Sequence, residues 1–216
     1  MAIFWSKVGV AMQSALATAV TIDAISKADP ALVEYTDAGS SDPSNGDYVI
    51  LDVQGMFQMD EKVVRVASVN TTTDDFQAEG IDSQLFDTFS SGTFQVITFG
   101  TTISTFTDIT VSGGEPEFAD ITTIHDNVRR QAPTVTSPLV FSFESIFDAT
   151  DTGLLALKQA SDLNAQRSFR FTFSDNSVMV FQGYVSAPLV PVGSAQDVVK
   201  TNVTITANGT PTFYSS

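Results

Sequence analysis

The chain of 216 residues contains no cysteine. This removes a disulfide framework, a thiolate metal site and a thiol nucleophile, and it leaves the redox compartment open. There is one histidine, His125, and no other side-chain type ordinarily titrates near neutrality. Its surroundings, Thr123-Ile124-His125-Asp126-Asn127, match neither a nucleophile elbow nor a metal-binding helix. A polar turn or strand end is the expectation there. Cations are scarce: 10 Lys and Arg stand against 25 Asp and Glu, a formal charge of −15. Such a surface repels phosphates and anionic membranes. That argues against gripping DNA by its backbone, but not against lying close to DNA without adhering. No window approaches the roughly 18–20 consecutive apolar residues of a membrane-spanning helix. No Gly-rich phosphate loop, His–Cys cluster or Walker motif is present. No cofactor is expected, and no membrane partner.

The amino terminus weakly imitates a secretory signal, with Lys7 ahead of an apolar stretch over residues 8–20. Gln13 and Ser14 interrupt that stretch, and Phe4 and Trp5 crowd the segment before it, so a mature N-terminal strand or arm is the expectation. Asn70, Asn202 and Asn208 each open an Asn-x-Thr triplet. Such triplets accept glycans only in a eukaryotic secreted setting, and they arise by chance in a Thr-rich chain.

What is abundant points to β structure. The chain is 43% apolar and 16% charged, with 17 phenylalanines. That is apolar material enough for a packed core, in residue types that suit half-buried strands. Charge divides the chain. Residues 21–92 carry 14 acidic and 3 basic side chains, while the remainder carries 11 and 7, which suggests two parts in different surroundings.

The first part reads as short strands between tight turns, forming a small β-barrel or open sheet. Candidate strands are 48–53, after the turn-rich 42–47, then 63–67 and 76–79. In the second part, 93–99 is an opening strand. Residues 102–111 alternate, with Ile103, Thr105, Thr107 and Ile109 on one side and Ser104, Phe106, Asp108 and Thr110 on the other. The pair Gly113-Gly114 breaks the run. Residues 139–145 place Leu139, Phe141 and Phe143 on one face, and 167–174 do the same with Phe169, Phe171 and Phe173. A period of two with one aromatic face marks a strand buried on one side. The turn 174–177 joins that strand to 178–185 as a hairpin. A last strand covers 198–206 and ends at Asn208-Gly209. One helix is expected over about 151–163, capped by Thr150 or Asp151. Its apolar stripe is Ala156, Ala160 and Leu163, flanked by Leu155 and Leu157, with Lys158 and Asp162 opposite.

Candidate chemistry is thin. Asp42, Asn45 and Asp47 are closely spaced hard ligands, but their spacing does not fit an EF-hand loop, so a polar turn is expected. Asp60-Glu61 and Asp74-Asp75 are adjacent acids, and neighbouring strand residues point to opposite faces, so solvated charge is the reading. Arg167 and Arg170 face opposite sides of their strand, and their partners lie either within the chain or on a neighbouring subunit.

The segment 111–123, with Gly113, Gly114, Glu115, Asp120, Thr122 and Thr123, resembles a stretch in the major tail tube proteins of long non-contractile-tailed, lambda-like phages. The order that follows is similar too: strand 139–145, a Leu-rich helix, the basic-aromatic strand 167–173, Phe181-Gln-Gly-Tyr-Val185, and a close at Asn208-Gly-Thr-Pro211. The likeness covers roughly 93–214. Residues 21–92 resemble a small β module that recurs in phage and prophage proteins. The resemblance implies a mainly β fold, a tail-tube-type β-sandwich or barrel with one short helix. Residues 1–20 and 93–216 would form the tube domain and 21–92 an inserted module.

It also implies a structural subunit rather than an enzyme, forming stacked homohexameric rings. The lumen of such rings holds a tape-measure protein and passes DNA during ejection. The expected partners are further copies, the tape-measure protein, a tail terminator and baseplate or tail-tip proteins, with DNA passing without specific binding. The place would be the phage tail of a virion, assembled in the bacterial host cytoplasm. Strand alternation offers Asp108, Asp120 and Glu144 as lumen-facing candidates. Two other readings compete: a secreted or surface β-sandwich binding or adhesion module, and an acidic hydrolase using paired carboxylates.

Overall fold

Alternating burial along the strands creates two cores, and the two cores define two sheets. A computed structural model describes residues 7–36, 39 and 42–216. The N-terminal Phe4 and Trp5 of the signal reading lie outside the described residues.

The first sheet contains β2 (Ala15–Leu16), β3 (Val20–Ile25), β4 (Ala31–Tyr35), β5 (Tyr48–Gln54), β6 (Val63–Asn70), β7 (Asp75–Ala78) and β8 (Ser91–Thr98). Its order is β2-β8-β3-β4-β7-β6-β5, and β8 also pairs with β5. Six of the strands therefore close into an antiparallel barrel, and β2 prolongs the pairing along β8. Closure needs close backbone approach at Gly92, which pairs with Ile22 on one side and Val53 on the other. A Cβ there would stand 2.5 Å from the Asp52 carbonyl oxygen. Inside, Val33, Leu51, Met56, Met59, Phe76 and Phe94 are fully buried. The Phe94 ring meets Phe76 and Tyr35 edge-on at 5.3 and 5.4 Å. Each such side chain contributes about 1.5–3 kcal/mol on burial.

The second sheet contains β1 (Gly9–Met12), β9 (Thr101–Ile103), β10 (Phe106–Ser112), β13 (Val140–Ile146), β14 (Gln166–Thr172), β15 (Val178–Ser186) and β16 (Lys200–Tyr214). Its order is β10-β13-β16-β15-β14-β1-β9. Phe141 and Phe143 of β13 face Phe169 and Phe171 of β14 and Phe181 of β15. Strands β13 and β14 stand three steps apart, about 14 Å along a flat sheet. Their rings Phe141 and Phe171 nevertheless come within 6.1 Å, so the sheet curls tightly around its phenylalanines. Helix α1 (Thr152–Asp162) lies over the open side against β9 and β15. Asp151 caps it, its Oδ1 accepting from the Leu154 N–H at 2.7 Å.

Among the described residues, the remaining strands, β11 (Pro116–Asp120) and β12 (Gln131–Thr136), pair only with each other.

Several expectations are corrected. The run from Thr93, assigned to the second part, pairs as β8 with β3 and β5 of the barrel; Phe94 enters the barrel core, while Ile97, on the other face, packs at the joint with Val178, Val180 and Tyr214. The strand 102–111 is split into β9 and β10, with a register irregularity between Phe106 and Asp108. That irregularity lets both Phe106 and Ile109 pack on the core. Strand β16 does not end at Asn208-Gly209. A register shift opposite Val180 and Gln182 absorbs that pair, and pairing resumes to Tyr214. On α1 the buried stripe is Leu154, Leu157 and Ala160 rather than Ala156, Ala160 and Leu163. The helix seats through Gly153, where a Cβ would lie 2.7 Å from the Thr102 carbonyl oxygen.

Candidate functional site

The features that distinguish this chain from a closed, self-sufficient β-protein are surfaces. One, among the described residues, is the free edge of the curled sheet. Strand β10 is terminal in the strand order, and most of its side chains are exposed. The opposite edge, β9, is short and has the start of α1 against it. A long uncovered edge presents unpaired N–H and C=O groups that template further pairing.

The second surface is the face of the sheet turned away from the phenylalanines. Register places Thr110, Ser142, Thr204 and Ser186 side by side across β10, β13, β16 and β15, with Asp108, Glu144 and Asn202 in the next row. The face is thus rich in hydroxyls. Within these rows Lys200 donates to Glu144 Oε2 at 2.6 Å. The Glu144 hydrogen bond, with lesser help from Asp197 and Asp108, holds the Lys200 ammonium above its ordinary pKa. Asp108 and Glu144, both candidates from the sequence, therefore meet in one row. Asp120 does not join them, because it ends β11 on the separate hairpin.

The third surface is that hairpin, which forms an arm. Gly113 and Gly114 hold φ of +85° and +80° at its base. A Cβ on Gly113 would come 2.1 Å from the Pro138 carbonyl oxygen, so the close approach of the arm's two legs requires glycine there. Ser137 closes the neck, donating from N to the Glu115 carbonyl at 3.0 Å. At the tip, Asp120 Oδ1 accepts from the Thr122 N–H, and Asp126 Oδ2 accepts from the Thr123 N–H, both at 2.9 Å. The Thr122 contacts, through hydroxyl and then N–H, lower the pKa of Asp120. The Thr123 N–H and then its hydroxyl do the same for Asp126. All six residues of the 111–123 motif, Gly113, Gly114, Glu115, Asp120, Thr122 and Thr123, thus build the arm's base and tip. His125 stands exposed in the tip turn.

The arm has no core. Phe118 is 57%, Val128 75% and Ile124 96% exposed. Sequence reading missed it as a hairpin because its strands are short and lack an alternating apolar face, having no sheet to lie on.

The acids weighed for chemistry are spent on local structure. Asp47 Oδ2 accepts from Ser44 N and Asn45 Oδ1 from Val69 N, both at 2.9 Å. Asp60 Oδ1 accepts from Val53 N at 2.9 Å, and Glu61 accepts from Asn208 Nδ2. Arg170 lies over the Phe99 ring, 5.0 Å from its centroid. Among the described residues no group of three or more His, Asp or Glu is placed to hold a metal ion, and no helix is long and apolar enough to cross a membrane.

A sheet whose β10 edge has no partner among the described residues, carrying an arm whose apolar side chains stand exposed, defines a structural β-protein built to associate. Over residues 54–216 the chain matches the family described as phage tail tube protein, TTP, and it belongs to that family. Its role is structural, not enzymatic: it is a subunit of a phage tail tube, a component of the virion's tail that assembles with other tail proteins. The match begins at Gln54, at the end of β5, so β6, β7 and β8 of the barrel fall within it. No curated protein matches the chain.

Proposed function

We propose that the subunit forms stacked hexameric rings of the long non-contractile, lambda-like type. The lumen of these rings holds the tape-measure protein during assembly and conducts DNA during ejection. The observation that carries this reading is the uncovered β10 edge of a tightly curled sheet. Pairing of β10 with a strand of the next subunit would remove the exposed edge, and a head-to-tail contact of this kind closes into a ring when its rotation allows. The hydroxyl face lines the channel, with Asp108 and Glu144 in it and Lys200 neutralised by Glu144. A surface of that kind offers DNA phosphates nothing to hold. Asp120, on the arm, faces a neighbouring subunit rather than the channel.

In this reading the barrel is a module inserted between β1 and β9, which pair with each other in the tube sheet. It occupies residues 15–98 rather than 21–92 and carries the densest acidic charge. The terminator and tail-tip proteins cap the two ends, and assembly takes place in the host cytoplasm. Negative-stain microscopy of the purified protein, alone and with its tail partners, tests the proposal. Rings or hollow tubes are expected, and compact monomers under every condition would overturn it.

A further inference from the structure

The chain contains two Asn-Gly pairs, Asn45-Gly46 and Asn208-Gly209. Asparagine is thermally labile, most of all before glycine, where no Cβ screens the next backbone nitrogen. That nitrogen attacks the Asn Cγ and forms a five-membered imide. Both glycines are exposed, with open space where a Cβ would stand. Their hydrogen bonding differs. Gly46 donates its N–H to the Val66 carbonyl at 2.8 Å, and Asn45 Oδ1 accepts from Val69 N at 2.9 Å. Attacking nitrogen and side chain are both held to β6. Asn208-Gly209 instead sits in the irregular part of β16. Register passes from Gln182 opposite Asn208 to Val180 opposite Thr212, so Gly209, Thr210 and Pro211 share the single partner Phe181. Asn208 Nδ2 donates to Glu61 Oε2. That bond engages the nitrogen that departs, not the one that attacks, and it bridges sheet and barrel.

We propose that Asn208 is a self-modification site, converted as the protein ages to a carboxylate that opposes Glu61 across the joint of barrel and sheet. Gly209 N attacks Asn208 Cγ, the Cγ–Nδ2 bond breaks, and the side-chain nitrogen leaves as ammonia with the Gly209 proton. Water then opens the imide at either carbonyl and leaves aspartate or isoaspartate. The sum is amide plus water to acid plus ammonia, with no change of oxidation state. At neutral pH the new carboxylate faces Glu61 where a hydrogen bond stood, and the two like charges repel. The barrel is thereby loosened from the sheet with age. The inference stands independently of the ring reading.

The full-length protein is held folded in warm, mildly alkaline buffer, and samples taken over time are digested and mapped by mass spectrometry. The peptide holding Asn208 should become about 1 Da heavier and split into aspartate and isoaspartate forms. Asn45 serves as the internal control. It should react at least about fivefold more slowly, the factor one hydrogen bond on the attacking nitrogen is worth. Asn208→Asp reads the consequence without waiting for the chemistry, and should lower Tm by about 2–4 °C. Glu61→Gln in the same chain restores a donor facing an acceptor and should recover that loss, which a merely structural effect of the substitution would not allow. An Asn208 that stays intact, or that reacts no faster than Asn45, would overturn the assignment of the site. Asn208→Asp melting like the wild type, or unrelieved by Glu61→Gln, would overturn the loosening of the joint.

Discussion

Replacing Tyr214 with phenylalanine isolates one hydrogen bond at the joint between barrel and sheet. Tyr214 is 4% exposed and packs with Tyr48, Ile50, Val63 and Ile97 of the barrel and Val178 and Val180 of the sheet. Its hydroxyl oxygen accepts from the Arg65 N–H at 2.7 Å, and the Arg65 guanidinium lies 4.6 Å from its ring centroid while forming a forked ion pair with Glu79. Phenylalanine keeps the ring, so the packing and the cation–π contact persist. Only the acceptor is lost, leaving a half-buried N–H unpaired at about 1–2 kcal/mol. For a chain of this length that lowers Tm by about 2–8 °C.

The pH dependence supplies a second signature. Burial, more than any charge nearby, pushes the Tyr214 phenol well above its ordinary value near 10. The folded state then keeps a proton that the unfolded state releases. Its contribution is full below about pH 10 and is lost as pH rises toward the folded value. Differential scanning calorimetry from pH 8 to 11 reads both effects. Wild type should lose stability above pH 10 more steeply than Tyr214→Phe. A variant that melts within a degree of wild type with the same alkaline slope would refute the joint as described. So would a thermogram in which barrel and sheet already melt separately in the wild type.

Asp151→Ala removes the cap of α1, costs about 1 kcal/mol and should lower Tm by about 2–4 °C; Asp151→Asn, which keeps the accepting oxygen, should recover most of that. Glu144→Gln should leave the fold intact and uncover Lys200. If the hydroxyl face lines the channel, variant tubes should retain duplex DNA in low salt and release it as salt rises, with a slope near 0.9 per phosphate neutralised. Salt-independent retention, or none, would argue that this face lies elsewhere.

Much of the fold was legible because burial on one face writes itself as a period of two. The phenylalanines marked β13 and β14 as strands buried on one face, and the 174–177 turn joined β14 to β15 as a hairpin, as the structure has them. Asp151 announced the helix start. Where the sequence misled, a bulge or a change of partner was the cause. The irregularity after Phe106 shifts the alternation, and the register shift at Asn208-Gly209 carries β16 past a turn-like pair. β8 belongs to the barrel through partners distant in sequence, which a local pattern does not record. The assembly surfaces were less visible still. Asp108 and Glu144 are 36 residues apart, and only register reveals them as neighbours. The arm left as its trace the Gly113-Gly114 pair, read only as a break in the strand before it.

The six paired strands of the barrel run in a circle, and a circle has no first or last member. Copies can be crowded side by side without offering one another a strand to extend through that half of the molecule. Runaway sheet growth, the hazard of any protein that polymerises through β edges, is thereby kept, among the described residues, to the curled sheet and its arm. A subunit can present the barrel at high local density while leaving hydrogen-bonded growth to the rest of the molecule.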